Sequence, residues 1–463
     1  MSTKGRFPDR PFTDVYFGQP VHETHPHIVK HGEVTPGITA QEYHLRRQRF
    51  AASLPDGAVA VLPAAPLKYK SGAVFYPYRQ ESNFWYLTGW QEPESIVVIQ
   101  RRDADYHFIL FCRPKSSVQE QWMGPWNGLD AAQDFFNADE VQPISHASIS
   151  LRQILKNATY LYTDVDLARY NEDKVTVPLR DAKLPVRSVS PLVNEMRVVK
   201  STAEIEVMQH AGTVSGQAFN KIMNMGLASE ADISHTLNYY FTKDMCNGHA
   251  YIPVVAAGNR GLFIHWVQNT GIADPGDLVT VDAGAEYGYY VADITRTWPV
   301  NGKFTPAQKD LYQAVLSAQR KLVSMCHESS MHSLESLHKM AETELSENLR
   351  DIGFDLSPPA FGNRGGIETL FPHHIGHYLG IDVHDVPGYP KNKLLKEGNV
   401  ITIEPGIYVP DDERWPKHFR GMGIRIEDDV VVEKETVRVL SSTAVKEIDD
   451  IEHLYWTMKD NNP

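Results

Sequence analysis

Cysteine is scarce: Cys112, Cys246 and Cys326 stand far apart in 463 residues. An odd, scattered set excludes a disulfide framework and a thiolate-rich zinc site, and fits thiols kept reduced. Basic charge is short as well. The 45 Lys and Arg face 58 Asp and Glu, for a formal net charge of -13. Non-specific nucleic-acid binding needs the opposite footprint, so no nucleic-acid partner is expected. No run of eighteen apolar residues occurs, so no transmembrane segment is expected either. The opening MSTKGRFPDRPFTD has neither the apolar core of a secretory signal nor the Arg- and Ser-rich pattern of a mitochondrial presequence. Cytosol, or an organelle after presequence removal, both remain open.

What is present is an ordinary globular composition, 42% hydrophobic and 22% charged, in a chain long enough for two domains. Residues 1–40, rich in Pro, His and Gly, read as an extended arm on a domain; their four clustered histidines leave metal capture as the alternative. Residues 41–190 read as an α/β domain. Thr39 in TAQEY is placed to cap a helix ahead of Glu42. GAVAVLPAA, ESIVVIQ, YHFILFC and TYLYTDV follow as short apolar strands, with SISLRQIL as a helical segment among them. Two aromatic clusters, FYPYRQESNFWYLTGWQEPES and QWMGPWNG, divide evenly between core packing and an exposed loop or interface.

From residue 195 onward the pattern becomes α+β. Ser201 and Glu204 have capping-box spacing, and Ile205, Met208, Gly212, Ser215, Phe219 and Ile222 keep to one helix face. The small residues in that stripe suit close packing against a sheet. Thr305 before Pro306 marks another helix start, and LESLHKMAETELSENLRDIG a further helix.

Carboxylates inside apolar strands are the anomaly. Asp282 ends LVTVD, Asp293 lies in the return strand YVADITRTW, Glu404 ends VITIE, and Glu427 interrupts GIRIEDDVVV. Asp282 and Asp293 are a hairpin's separation apart. A buried, unpaired carboxylate costs several kcal/mol, so such residues need cations. A structural ion-pair network with Arg296 and Arg425 would serve. Convergence with a histidine on divalent cations is the functional alternative; oxygen donors with one imidazole suit Mn²⁺, Co²⁺, Zn²⁺ or Fe²⁺ better than a structural zinc. The segment FPHHIGHYLGIDVHD, residues 371–385, holds four histidines. It lacks the His-Glu-x-x-His spacing of a helical zinc site, and Gly376 is a poor helix interior residue. It reads as a loop or strand facing a polar pocket.

VDAG with ADITRTWPVNGKFT, HHIGHYLGIDVHD, ITIEPGIY and GIRIEDDVVV together resemble the signature blocks of the dinuclear metallopeptidases with the pita-bread fold. Within them the chain resembles aminopeptidase P. GQPVHETHPHIVKHGEVTPGITAQEYHLRR and NFWYLTGWQEPES are similar to the organellar branch of mitochondrial X-prolyl aminopeptidases and intermediate-cleaving peptidases. The resemblance runs from about residue 16 to 455. It implies an α/β N-terminal domain followed by a pita-bread (creatinase/aminopeptidase-like) catalytic domain over 195–463. It implies two divalent ions, most often Mn²⁺, held by Asp282, Asp293, His377, Glu404 and Glu427. Glu404 would also move the reacting proton. His265, His373 and His384 would bind substrate and steady the intermediate, Arg425 would orient the site, and His374 would only pack. Substrates would be peptide or protein N-termini, the location mitochondrial in mature form, and the assembly a homodimer or tetramer through the N-terminal domain, with NFWYLTGW or QWMGPWNG as interface or pocket wall. Rival readings are an X-Pro dipeptidase, a metal-free amidinohydrolase resembling creatinase, and a non-catalytic binding protein on the same fold; the retained ligand set weighs against the last two.

Overall fold

Apolar runs too short for helices pair into one mixed sheet in the first part of the chain. The computed structural model describes residues 17–102, 105–168, 173–357 and 366–459, in two units that divide after Met196. Residues 1–16 of the expected arm lie outside the described residues. Thr39 caps the helix Ala40–Ser53 by accepting from the Glu42 amide, as its sequence suggested. In the sheet, Val59–Pro63 pairs antiparallel with Ile96–Arg102, which pairs antiparallel with Asp105–Cys112. Glu140–Pro143 joins one edge in parallel; Leu161–Tyr162 and Val186–Arg187 extend the other. The helix Ala147–Leu155 packs Ala147, Leu151 and Leu155 on one apolar face of this sheet.

The aromatic clusters separate. Phe84, Trp85, Tyr86, Leu87 and Trp90 are buried within the first unit, so NFWYLTGW is core and neither interface nor pocket wall. Its helix, Ser82–Thr88, ends at Gly89, whose φ of 70° no side chain adopts easily and whose added Cβ would stand 2.9 Å from Tyr43 and Val34. Trp122 goes the other way: it is 83% exposed on the helix Ser117–Met123. All three cysteines are free and buried.

The second unit sets helices around short antiparallel sheets. Thr202–Met225 begins with the Ser201/Glu204 capping box, and Pro306–Ser324 with a second box between Thr305 and Gln308. The stripe on Thr202–Met225 is buried, with a refinement. Ser215 meets a strand, donating nothing to it but accepting from the Ala285 amide at 2.9 Å. Gly212 instead faces a turn, where an added Cβ would lie 2.6 Å from the Leu440 carbonyl oxygen. Val254–Ala257, Leu278–Ala283 and Ile294–Pro299 form one sheet; Val400–Ile403, Asp428–Val432 and Val437–Val439 form another. One continuous apolar cluster fills the space between these sheets and the helices. Among the described residues no helix is long and apolar enough to cross a membrane.

Candidate metal centre

Three of the anomalous carboxylates stand where one short strand stops and the next begins. Asp293 precedes Ile294–Pro299; Glu404 separates Val400–Ile403 from Gly406–Tyr408; Glu427 separates Gly423–Arg425 from Asp428–Val432. Their apolar surroundings suggest uninterrupted strands for Asp293 and Glu427, but an unbroken pleat would alternate successive side chains between faces. Asp282 stays inside its strand, opposite Thr295. Two glycines permit the close approach. A Cβ at Gly284 would fall 1.7 Å from the Ala292 carbonyl oxygen, and one at Gly376 would fall 1.9 Å from that of Thr402.

Asp293, His377 and Glu427 each present a ligand atom, all three within 4.8 Å of one another, the one metal-capable group among the described residues. The His377 Nδ1 lies 3.1 Å from the Tyr378 carbonyl, which can only accept. Nδ1 therefore carries a hydrogen, and Nε2 is the nitrogen turned to the carboxylates, 3.4 Å from Asp293 Oδ2 and 3.7 Å from Glu404 Oε1: protonated it donates to Asp293, deprotonated it offers a lone pair to a cation. Asp282 is drawn in by the Tyr251 hydroxyl, 2.6 Å from its Oδ1 and also in contact with Asp293 Oδ1. One hydroxyl hydrogen serves one carboxylate at a time, so the pair needs a further proton or cation.

The electrostatics say the same. Burial, reinforced by the neighbouring carboxylates, raises Glu404 to about 7 and Glu427 well above its ordinary range. Burial also raises Asp282, against the pull of Arg425. Asp293 goes the other way, because hydrogen bonds from His377 and Tyr251 outweigh burial. Arg425 reaches Asp282 Oδ2 at 2.7 Å and the Tyr408 hydroxyl at 2.7 Å. One guanidinium does not balance this many buried carboxylates, so the donor set fits divalent cations.

The ion-pair alternative is realised one residue along. Asp428 accepts from Arg296 at 2.7 Å, from Gln319 at 2.8 Å and from Ser441 at 2.7 Å, with Lys446 beside it. Thus Arg296 neutralises Asp428 behind the sheet, while Glu427 receives Thr295 Oγ1 at 2.6 Å on the cleft side.

The histidines of FPHHIGHYLGIDVHD take different places. His373 Nδ1 lies 3.0 Å from the His374 carbonyl, so its Nε2 accepts from Tyr408 at 2.9 Å. An Arg425–Tyr408–His373 chain results, and burial beside Arg425 pushes His373 down to about 3, keeping it neutral. His374 stacks on His338, centroids 4.6 Å apart. His384 is exposed and sets its ring edge-on to His377 at 4.4 Å. His265 is exposed on a loop. A cavity of about 700 Å³ opens beside His373, walled by His338, Glu342, Glu368 and Phe371.

Tyr251, Thr295 and Tyr408 are site residues that sequence reasoning missed. Tyr408 lay inside the conspicuous run ITIEPGIY; Tyr251, in HAYIPVV, had no signal beyond its type.

Comparison with known proteins places these features. Residues 206–434 match the model of metallopeptidase family M24, and residues 43–162 match the N-terminal domain of aminopeptidase P. Intermediate cleaving peptidase 55 of Saccharomyces cerevisiae is 39% identical, over 97% of this chain and 90% of its own length. A crystal structure of Icp55 from that yeast superposes with a TM-score of 0.85 at 38% identity, covering 92% of this chain and 99% of that one. Human Xaa-Pro aminopeptidase 3 is 38% identical over 96% of this chain and 92% of its own. The mitochondrial intermediate cleaving peptidase 55 of Arabidopsis thaliana is 34% identical over 94% and 87%. Sequence, topology and the buried acidic cleft thus agree: the chain belongs to metallopeptidase family M24, an aminopeptidase P-type metalloaminopeptidase with a pita-bread catalytic unit.

Proposed function

We propose that the cleft holds two divalent ions, manganese first among Mn²⁺, Zn²⁺, Co²⁺ and Fe²⁺, and releases the N-terminal residue of peptides or proteins. The observation that carries this is the gathering of Asp282, Asp293, Glu404 and Glu427 around the His377 lone pair with one arginine to offset them. Asp282, Asp293, His377, Glu404 and Glu427 are the ligands in this reading. Bound there, the ions supply Lewis-acid activation of water near neutral pH.

The chain's own groups do the rest. Glu404 takes the water's proton and passes it to the leaving nitrogen. When that nitrogen belongs to proline it is a tertiary amide and cannot depart without the proton. His384, exposed and edge-on to His377, steadies the tetrahedral oxyanion. Neutral His373 and exposed His265 hold the peptide, and Arg425 fixes Asp282 and Tyr408 in position. The substrate's free α-amine meets the acidic cleft, which makes the enzyme an exopeptidase.

Two substrate classes suit this chemistry, X-Pro peptides and protein N-termini bearing one removable bulky residue. One relative is named for Xaa-Pro and others for intermediate cleaving, and the mitochondrion named for the plant relative is the compartment we assign. A homodimer would form through the N-terminal unit, where Trp122 is exposed. The test incubates Mn²⁺-loaded enzyme with Tyr-Ala-Ala-, Leu-Ser-Ala- and Arg-Pro-Pro-type peptides and an X-Pro dipeptide, reading products by mass spectrometry. Single-residue release from the longer peptides is expected. Cleavage of the dipeptide alone would overturn the reading in favour of a dipeptidase. Glu404→Gln should abolish turnover in folded protein; near-normal rates would remove Glu404 from its role.

A further inference from the structure

Glu230 opens the helix Glu230–Lys243 and is fully buried. Its carboxylate accepts four N–H groups, one from the last residue of the strand Val254–Ala257 and three from the loop that follows it. Oε1 receives the Ala257 amide at 3.0 Å and Arg260 Nε at 2.6 Å. Oε2 receives the Trp266 indole at 3.0 Å and the Gly271 amide at 2.7 Å. The Gly271 carbonyl in turn accepts from the Glu230 amide at 3.0 Å. Burial raises the pKa of this carboxyl, and the four donors outweigh it, holding it below the ordinary carboxylate range.

The loop has little else to order it. After the 3-10 turn Gly258–Leu262, residues 263–271 carry no strand or helix. Asn269 adds one clamp, accepting from the Val255 amide at 3.0 Å and donating to the Pro253 carbonyl at 2.8 Å. At the tip, His265 and Phe263 are exposed. Fixing such a backbone costs conformational entropy. A single carboxylate tying residues 257, 260, 266 and 271 together offsets much of that cost.

We propose that Glu230 is a positioning residue for substrate binding: it holds loop 257–271 at both ends and so sets where His265 meets the peptide. The inference rests on the substrate-binding role proposed for His265. Glutamine at position 230 has the right size but presents an N–H₂ where one oxygen stood, so one pair of donors is left facing a donor.

The test uses full-length, Mn²⁺-loaded enzyme and the Arg-Pro-Pro-type peptide. Glu230→Gln and His265→Ala are each expected to raise KM on the order of tenfold with little change in kcat, and the double variant no more than either alone. Tryptic cleavage after Arg260 should quicken in Glu230→Gln. Should that variant not fold, Trp266→Phe removes one donor only and should raise KM less, in the same direction. Multiplicative effects in the double variant, or an unchanged KM in Glu230→Gln or Trp266→Phe, would overturn the proposal. A silent His265→Ala would overturn the role of His265 instead, and unchanged tryptic cleavage in Glu230→Gln would then overturn that of Glu230.

Discussion

Arg425 donates to Asp282 Oδ2 at 2.7 Å and, through its other terminal nitrogen, to the Tyr408 hydroxyl at 2.7 Å. The fork couples a carboxylate proposed as a metal ligand to the hydroxyl that bonds His373. Lysine carries the charge but cannot hold two acceptors in a fixed plane. Arg425→Lys is therefore expected to lower kcat/KM by roughly a hundredfold, in the range of losing one preorganised electrostatic contact. Steady-state kinetics in saturating Mn²⁺ decide it, and a change under threefold would show that the fork is dispensable.

Tyr251 stands between Asp282 and Asp293. Its hydroxyl orients both carboxylates, and removing an outer hydrogen bond of this kind typically weakens metal affinity by about tenfold or more. Tyr251→Phe should shift the Mn²⁺ concentration for half-maximal activity upward by about that factor while leaving the protein folded. Unaltered metal titration would leave Tyr251 a packing residue.

Much of the fold was readable beforehand where the signal is local. Capping pairs at Ser201/Glu204 and Thr305/Pro306 and the buried stripe through Phe219 depend on neighbours within a few residues. The spacing of Asp282 and Asp293 was enough to bring them together because one antiparallel pairing joins their strands. Long-range facts were not readable. Nothing in IEDDVVV says that Glu427 faces the cleft while Asp428 faces Arg296 behind it, since that depends on where the strand breaks. NFWYLTGW reads equally as core and surface until Tyr43 packs edge-on against Trp85 and the whole segment is buried.

Asp385 makes a separate, testable contribution to stability. It bonds Lys200 Nζ at 3.0 Å and pairs with Arg197, and these cations outweigh burial to hold its carboxyl below the ordinary range. Its folded pKa is below the unfolded value of about 3.9, so the stabilisation is present above that pH and is lost as pH falls through the folded value. Lys200→Met removes one cation and should cost about 3 kcal/mol at neutral pH. The acid-unfolding midpoint should also move to higher pH. Circular dichroism during acid titration reads this directly, and coincident curves for the variant and the parent protein would refute it.

Metal binding should release protons near neutral pH. Without cations, burial and mutual repulsion raise Glu404 to about 7 and lift Glu427 and Asp282 above their ordinary ranges. Groups raised on folding stabilise the metal-free protein below their unfolded pKa values, about 4, and that stabilisation disappears as pH rises through the folded values. Divalent cations compete for the same oxygens and displace those protons, so affinity should climb as pH rises toward and through 7. Metal-free protein should accordingly melt at lower temperature at pH 8 than at pH 5.5, and Mn²⁺ should reverse the order. Calorimetric titration with Mn²⁺ at pH 6.5 in two buffers of different ionisation enthalpy should give buffer-dependent heats corresponding to net proton release. Identical heats in the two buffers would mean that the carboxylates already stand ionised in the metal-free cleft, and that cations other than those identified here offset their charge.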